Sequence, residues 1–195
     1  MGKIFYLMGK SSSGKDTLYK MLMQQSDLKL LPIIQYTTRP IRVGEIEGSE
    51  YYFVSKEQLD ALSKAGKVIE SRCYDTCHGA WIYATVYDDS IDLKHHNYVM
   101  IGTIESFVKV KEYFGGDIVI PIMLYCDDGV RLQRALDRER SEDAPKYREI
   151  CRRFLSDDED FSQEKQSKAG ITRVFNSENT ADCLLEVIPF MKEMV

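Results

Sequence analysis

Apolar and polar positions alternate along this chain with two different periods. Lys3–Met8 (KIFYLM) carries an apolar run of strand length, as a strand buried on both faces requires. Thr17–Gln25 follows with Leu18, Met21 and Leu22 on one face of a helix. Tyr98–Ile101 (YVMI) and Ile118–Leu124 (IVIPIML) predict two more buried strands. Helical spacing predicts helices over Ile104–Tyr113, Gly129–Arg138, Tyr147–Ser156 and Ala181–Met194, and Arg173–Phe175 a short strand before the last of these. Strand-like runs alternating with helices predict an α/β fold with a central, largely parallel sheet flanked by helices.

The middle of the chain breaks that rhythm. Tyr51–Val54 (YYFV) is extended, and Ser55-Lys56-Glu57-Gln58 is a capping-box start for a helix to about Ala65. Val68–Arg72 and Trp81–Val86 read as strands. The stretch from about Gln35 to Val86 therefore predicts a small strand-rich lobe over the sheet. Ser141–Lys146 (SEDAPK) is polar, contains a proline and lies among Arg138, Arg140 and Arg148, which predicts a mobile loop.

Composition narrows the function. The 195 residues suit one domain with small insertions. Net charge is -5 and the pI about 5.3, so the basic footprint of a general nucleic-acid binder is missing and local arginines must meet any anionic ligand. The apolar start of the chain is too short for a membrane span, and Tyr6 stands where a Met-Gly myristoylation signal needs Ser or Thr. The expectation is a cytoplasmic protein with no membrane partner. Cys73, Cys77, Cys126, Cys151 and Cys183 are odd in number and irregular in spacing, which favours reduced thiols over a disulfide framework. Cys73, Cys77 and His78 are close enough for zinc, but no second ligand pair stands at finger spacing.

Gly9–Thr17 (GKSSSGKDT) has the spacing of a phosphate-binding loop, G-x-x-x-x-G-K-[ST]. Gly9 and Gly14 let the backbone turn its N–H groups inward, the helix near Lys15 adds its positive dipole end, and Lys15 can reach the outer phosphates. Gly9, Lys10, Ser11, Ser12, Ser13, Gly14, Lys15, Asp16 and Thr17 form the expected phosphate cradle. Asp16 occupies the place of the hydroxyl that usually meets magnesium. The loop alone does not tell a kinase from a GTPase or another NTPase.

A second anion site is expected in Tyr36–Ser55 (YTTRPIRVGEIEGSEYYFVS), where Arg39 and Arg42 lie three apart. This segment resembles the GMP-binding stretch of guanylate kinases, T-T-R-x-x-R-x-G-E-x-x-G-x-x-Y-x-F-V, at every fixed position. The resemblance implies a single guanylate-kinase-like domain over 1–195, with an acceptor-binding lobe at about 35–86 and a lid at about 138–148. It implies phosphoryl transfer from ATP to GMP, with magnesium accompanying ATP. Arg39, Arg42 and Tyr51 fall where the family holds the acceptor's phosphate, and Tyr83 resembles its second phosphate-contacting tyrosine. Glu70 falls where a glutamate accepts from guanine, Thr85 takes the place of a base-contacting hydroxyl, and Thr103 also belongs to the expected GMP site. Arg138 or Arg140, with Arg153, resemble the arginines that close on the transferring phosphoryl, and Asn176 resembles the asparagine of the adenine side.

Four departures qualify the match. Gln35 stands for a usual serine, and the interval from Glu70 to Tyr83 is longer than in the family. Ile101 and Thr103 replace acidic residues at a strand end, and Arg138-Glu139-Arg140 replaces a G-R-G lid motif. They leave open a ribose 1,5-bisphosphate phosphokinase of the same fold, and a non-catalytic interaction domain. Asp16 is expected to supply the site's metal carboxylate in place of the missing strand-end acid. The competing reading makes it a first-turn helix charge.

Overall fold

The computed structural model describes residues 1–42, 44–76, 79–88 and 90–195. Its first strand, β1 (Ile4–Met8), is buried at all five positions. Ile4, Tyr6 and Met8 face one side of the sheet and pack with Phe107 and Val110. Phe5 and Leu7 face the other side and pack with Leu18, Leu22, Val187 and Phe190. Period-two alternation with both faces covered explains the unbroken apolar run.

Around β1 stand four parallel strands, β2 (Leu30–Pro32), β7 (Asn97–Ile101), β8 (Val119–Tyr125) and β9 (Val174–Asn176), in the order β2-β7-β1-β8-β9. The chain turns from one side of β1 to the other at its carboxyl end, the place where parallel sheets open a crevice for ligands. On one face, α1 (Lys15–Met23) packs with α7 (Thr180–Met194). On the other lies α3 (Ile104–Phe114), capped by Thr103, whose hydroxyl accepts from the Ser106 N–H.

The second sheet has the order β4-β3-β6-β5, with β3 (Tyr36–Thr37), β4 (Tyr52–Phe53), β5 (Val68–Thr76) and β6 (Gly79–Val86). Its β5–β6 and β3–β6 pairs are antiparallel, while β3 and β4 run parallel. Between β4 and β5 lies α2 (Lys56–Lys64), and its capping box closes as the sequence predicts, Ser55 and Gln58 bonding each other's backbone N–H. After β8, α4 (Asp128–Arg140) and α5 (Tyr147–Asp160) are joined by a turn, and α6 (Gln163–Lys168) follows.

Among the described residues, β2, β3, α6 and the 3-10 turn Ser26–Leu28 escape the sequence pattern, each too short to show a period. The β5–β6 hairpin is longer than expected, reaching Thr76 and restarting at Gly79. Cys126 and Cys183 are buried and Cys73 and Cys151 exposed, all four as free thiols. Cys77 and His78, the other two candidate zinc ligands, lie outside the described residues. Among the described residues no three His, Cys, Asp or Glu side chains gather as a metal site, and no helix is long and apolar enough to cross a membrane.

Candidate functional site

The loop after β1 is built to expose its backbone. Ser12 has φ 60° and Gly14 φ 93°, left-handed values that a serine holds only under constraint from its surroundings. Gly14 is also the N-cap of α1, and its side-chain-free position leaves the helix end open. The Ser12 and Ser13 hydroxyls are buried without a hydrogen-bond partner. Such orphaned groups are rare in a folded chain and mark a place prepared for a ligand.

Lys15 reaches back over the loop, its Nζ donating to the Gly9 carbonyl at 2.6 Å and the Lys10 carbonyl at 2.8 Å. Burial pushes its ammonium below the usual lysine range, against the pull of Asp16 and Asp157 and with the help of Arg131 and Arg138. A cavity of about 290 Å³ opens here, lined by Ser12, Gly14, Lys15, Asp16, Thr17, Arg134, Arg138 and Thr180. Of the expected lid arginines, the fold thus brings Arg138 to Lys15. Arg140 pairs with Asp137 at 3.3 Å, and Arg153 donates to Glu149 at 2.9 Å. Neither lines the cavity. Asn176 ends β9 and accepts from the Glu178 N–H at 2.9 Å.

Three residues of this site were not legible in the sequence. Arg131, almost fully buried, donates to the Ser11 carbonyl at 2.9 Å, to Asp157 at 3.1 Å and to Asp128 at 2.7 Å. Asp157 accepts from the Ser11 N–H at 2.7 Å and from its hydroxyl at 3.2 Å. Lys10 is paired with Asp158. Arg134 donates to the Glu178 carbonyl at 2.5 Å and borders the cavity. The loop is therefore held from outside by α4 and α5, through ion pairs between residues far apart in sequence.

In the second sheet's lobe, Arg39 gathers charged and aromatic side chains. Arg39 is buried, and its fork meets Glu45 with two bonds of 2.7 and 2.6 Å. Its guanidinium lies 5.0 Å from the Tyr51 ring centre and 5.2 Å from that of Phe53. Glu45 also accepts from the Arg42 N–H at 2.8 Å, and the Arg39 bonds hold its carboxyl below the usual range. Glu45 is thus a positioning residue that the sequence motif contains but that its reading left without a role. Arg42 itself is exposed. Tyr51 and Tyr83 meet edge to face at 5.5 Å.

Deeper in the same lobe, Glu70 is buried and accepts from Thr85 at 2.7 Å and from Arg72 Nε at 3.1 Å. Gln35 donates to Thr85 at 3.2 Å, and Arg72 Nη1 donates to Thr103 at 3.1 Å. Gln35, Glu70, Thr85 and Thr103 therefore belong to one polar chain, joined by Arg72. Burial raises the Tyr51 phenol above its ordinary value, Tyr83 and the Asp16 carboxylate add to the rise, and Arg39 and Arg72 oppose it.

Residues 1–89 match the guanylate kinase family model. Curated guanylate kinases are similar over part of the chain. That of Rhodopseudomonas palustris (strain HaA2) is 39% identical over 79 residues, 40% of this chain and 36% of the relative. That of Mycoplasma mobile is 44% identical over 69 residues, 35% of this chain and 34% of the relative. The chain thus aligns with only about a third of the length of these relatives. The crystal structure of guanylate kinase from Anaplasma phagocytophilum superimposes with a TM-score of 0.70, covering 98% of this chain and 85% of that one at 16% identity. That likeness shows the α/β fold over nearly the whole chain. The stretch matched in sequence holds the phosphate loop, Arg39, Arg42, Tyr51, Glu70, Tyr83 and Thr85. Thr103, the lid arginines and Asn176 lie beyond it.

Proposed function

We propose that the protein catalyses ATP-dependent phosphorylation of GMP, giving ADP and GDP. The observation that carries this reading is a buried Arg39, set 5.0 Å from the Tyr51 ring centre and 5.2 Å from that of Phe53, in addition to the loop that holds Lys15. A lone nucleotide hydrolase would have no use for the second site. Similarity to guanylate kinases over residues 1–89 supports the choice of acceptor.

In this reading the loop's N–H groups and the amino end of α1 hold the ATP phosphates, with Asn176 on the adenine side. Lys15 leaves its two carbonyl partners for the outer phosphates, and burial keeps its ammonium below the usual lysine range until they bind. Arg138 stands ready at the cavity, and Arg140 and Arg153 reach it by lid closure after releasing Asp137 and Glu149. Arg39, Arg42, Tyr51 and Tyr83 hold the acceptor's phosphate, and Glu70 with Thr85 meets guanine. The chemistry is positioning and charge neutralisation, with water excluded on closure.

The residues present suit magnesium. Asp16 borders the cavity as a hard carboxylate and Thr17 follows with a hydroxyl. Magnesium needs only one or two such protein oxygens when phosphates and water complete its shell. Bound there, the ion would neutralise phosphate charge. A cytoplasmic setting fits this use of ATP. An ADP-release assay with GMP, dGMP, AMP, UMP, CMP and ribose 1,5-bisphosphate as acceptors tests the assignment, and activity on the last without GMP would overturn it.

A further inference from the structure

The polar chain under the acceptor site contains a cation that the expected GMP site does not use. In the β5–β6 hairpin, side chains alternate between faces, so Glu70, Arg72 and Tyr74 share one face with Thr85 and Tyr83 across the pair. Arg72 cannot swing away. Its Nε is tied to Glu70 and its Nη1 to Thr103, and the Arg72 and Glu70 side chains are only 9% and 4% exposed. Those two bonds employ two of the five N–H donors of a guanidinium. Glu70 keeps lone pairs beyond the two bonds it accepts from Thr85 and Arg72.

Glu70 can only accept and Arg72 can only donate. Side by side they present an acceptor and a donor to whatever base enters the lobe. A 6-oxopurine offers the complement, N1–H as donor beside O6 as acceptor. Adenine offers the reverse at both positions, an amino group at C6 and a bare N1. We propose that Arg72 is the specificity-determining residue of the acceptor site, donating to the 6-oxo oxygen while Glu70 accepts from N1–H. The acceptor class is then the 6-oxopurine nucleoside 5′-monophosphates, IMP with GMP. The Thr103 hydroxyl oxygen accepts from Arg72 and from the Ser106 N–H, which fills both of its lone pairs. Only Glu70 remains to read the exocyclic amine of guanine, so IMP forgoes that one contact and keeps the pair at N1 and O6. This inference rests on the GMP reading above.

The test crosses ligand against protein. Equilibrium binding of GMP, IMP, AMP and 2-aminopurine riboside 5′-monophosphate, which lacks the 6-oxo group, is measured for the unaltered protein, Arg72→Met and Arg72→Lys. Binding of ATP and the melting temperature serve as fold controls. The unaltered protein should bind GMP and IMP within about tenfold of each other, and AMP and the 2-aminopurine nucleotide at least about tenfold more weakly. Arg72→Met should lose about tenfold or more for GMP and IMP and stay within about twofold for the 2-aminopurine nucleotide, with ATP unchanged. Arg72→Lys should recover part of the loss. Equal weakening of GMP, IMP and the 2-aminopurine nucleotide in Arg72→Met would reduce Arg72 to a structural role, and unchanged GMP binding would remove it from the site. If the unaltered protein neither bound nor phosphorylated GMP, the GMP reading would fail first. A ribose 1,5-bisphosphate affinity lost in Arg72→Met would then reassign the guanidinium to a second phosphate and overturn the proposal.

Discussion

Asp157, on α5, accepts a hydrogen bond of 2.7 Å from the backbone N–H of Ser11 in the phosphate loop. The same carboxylate accepts from the Ser11 hydroxyl and from buried Arg131. One residue of α5 therefore sets the outer edge of the loop that follows β1.

Asp157→Ala should accordingly destabilise the fold and weaken ATP binding together. It removes charge-assisted bonds to Ser11 and leaves Arg131 with Asp128 alone as carboxylate partner, a loss of about 1.5–3 kcal/mol. Urea unfolding and ATP titration of this variant and of Asp157→Asn check this. A variant as stable as the parent, with unaltered ATP affinity, would show that the contact is incidental.

Lys15 gives a prediction about pH. Its folded pKa lies below the ordinary value of 10.5, chiefly through burial. The folded protein therefore releases this proton at lower pH than the unfolded chain. The cost of burying the charge is present in full below the folded pKa and disappears as pH rises to 10.5 and beyond. Phosphate binding has the opposite need, because it uses the ammonium. ATP affinity should fall as pH rises through the lowered pKa, and binding in that range should take up a proton. Calorimetry in two buffers of different ionisation enthalpy reads the proton directly, and Lys15→Met should abolish it. Proton-independent binding in both proteins would contradict the assignment.

Asp16 separates metal chemistry from helix electrostatics. If it serves the ion, Asp16→Ala should raise the magnesium concentration for half-maximal rate several-fold and lower kcat, with the melting temperature little changed. As a mere first-turn charge it would contribute roughly 0.3–1 kcal/mol of stability, and its loss would leave the magnesium dependence alone. A magnesium titration of rate, beside a thermal melt, distinguishes the two.

Arg39 and Arg42 should behave differently despite their common motif. Arg39 is buried against Glu45, Tyr51 and Phe53, so Arg39→Ala should raise the acceptor's KM and also cost about 1–3 kcal/mol of stability. Arg42 is exposed, so Arg42→Ala should raise KM about tenfold and leave stability within about 0.5 kcal/mol. Acceptor kinetics and melting curves on both variants check the contrast. Loss of ATP binding with acceptor affinity intact would mean that the two anion sites are misassigned.

What the sequence made legible follows from range. The buried strands, the capping box at Ser55 and Gln58, and the phosphate loop are local patterns, and each appears in the fold as expected. Asp157 and Arg72 were not legible, because their roles arise from partners 146 and 31 positions away. The strand end after β7 shows the same limit. The sequence registers the missing acids at Ile101 and Thr103, but only the fold gives Thr103 its task as cap of α3 and partner of Arg72. It also explains Gly102, where an added Cβ would lie 2.1 Å from the Tyr6 hydroxyl. The arginines around Ser141–Lys146 were visible as composition, but which of them faces Lys15 depends on the phase of α4 and the turn after it.

The central claim is phosphoryl transfer to GMP at Lys15, and following both phosphorus-containing products by ³¹P NMR tests it most directly. With ATP, magnesium and GMP, the account predicts GDP and ADP accumulating in equal amounts, and no GDP with Lys15→Met. ADP and inorganic phosphate without GDP, or transfer that survives Lys15→Met, would contradict it.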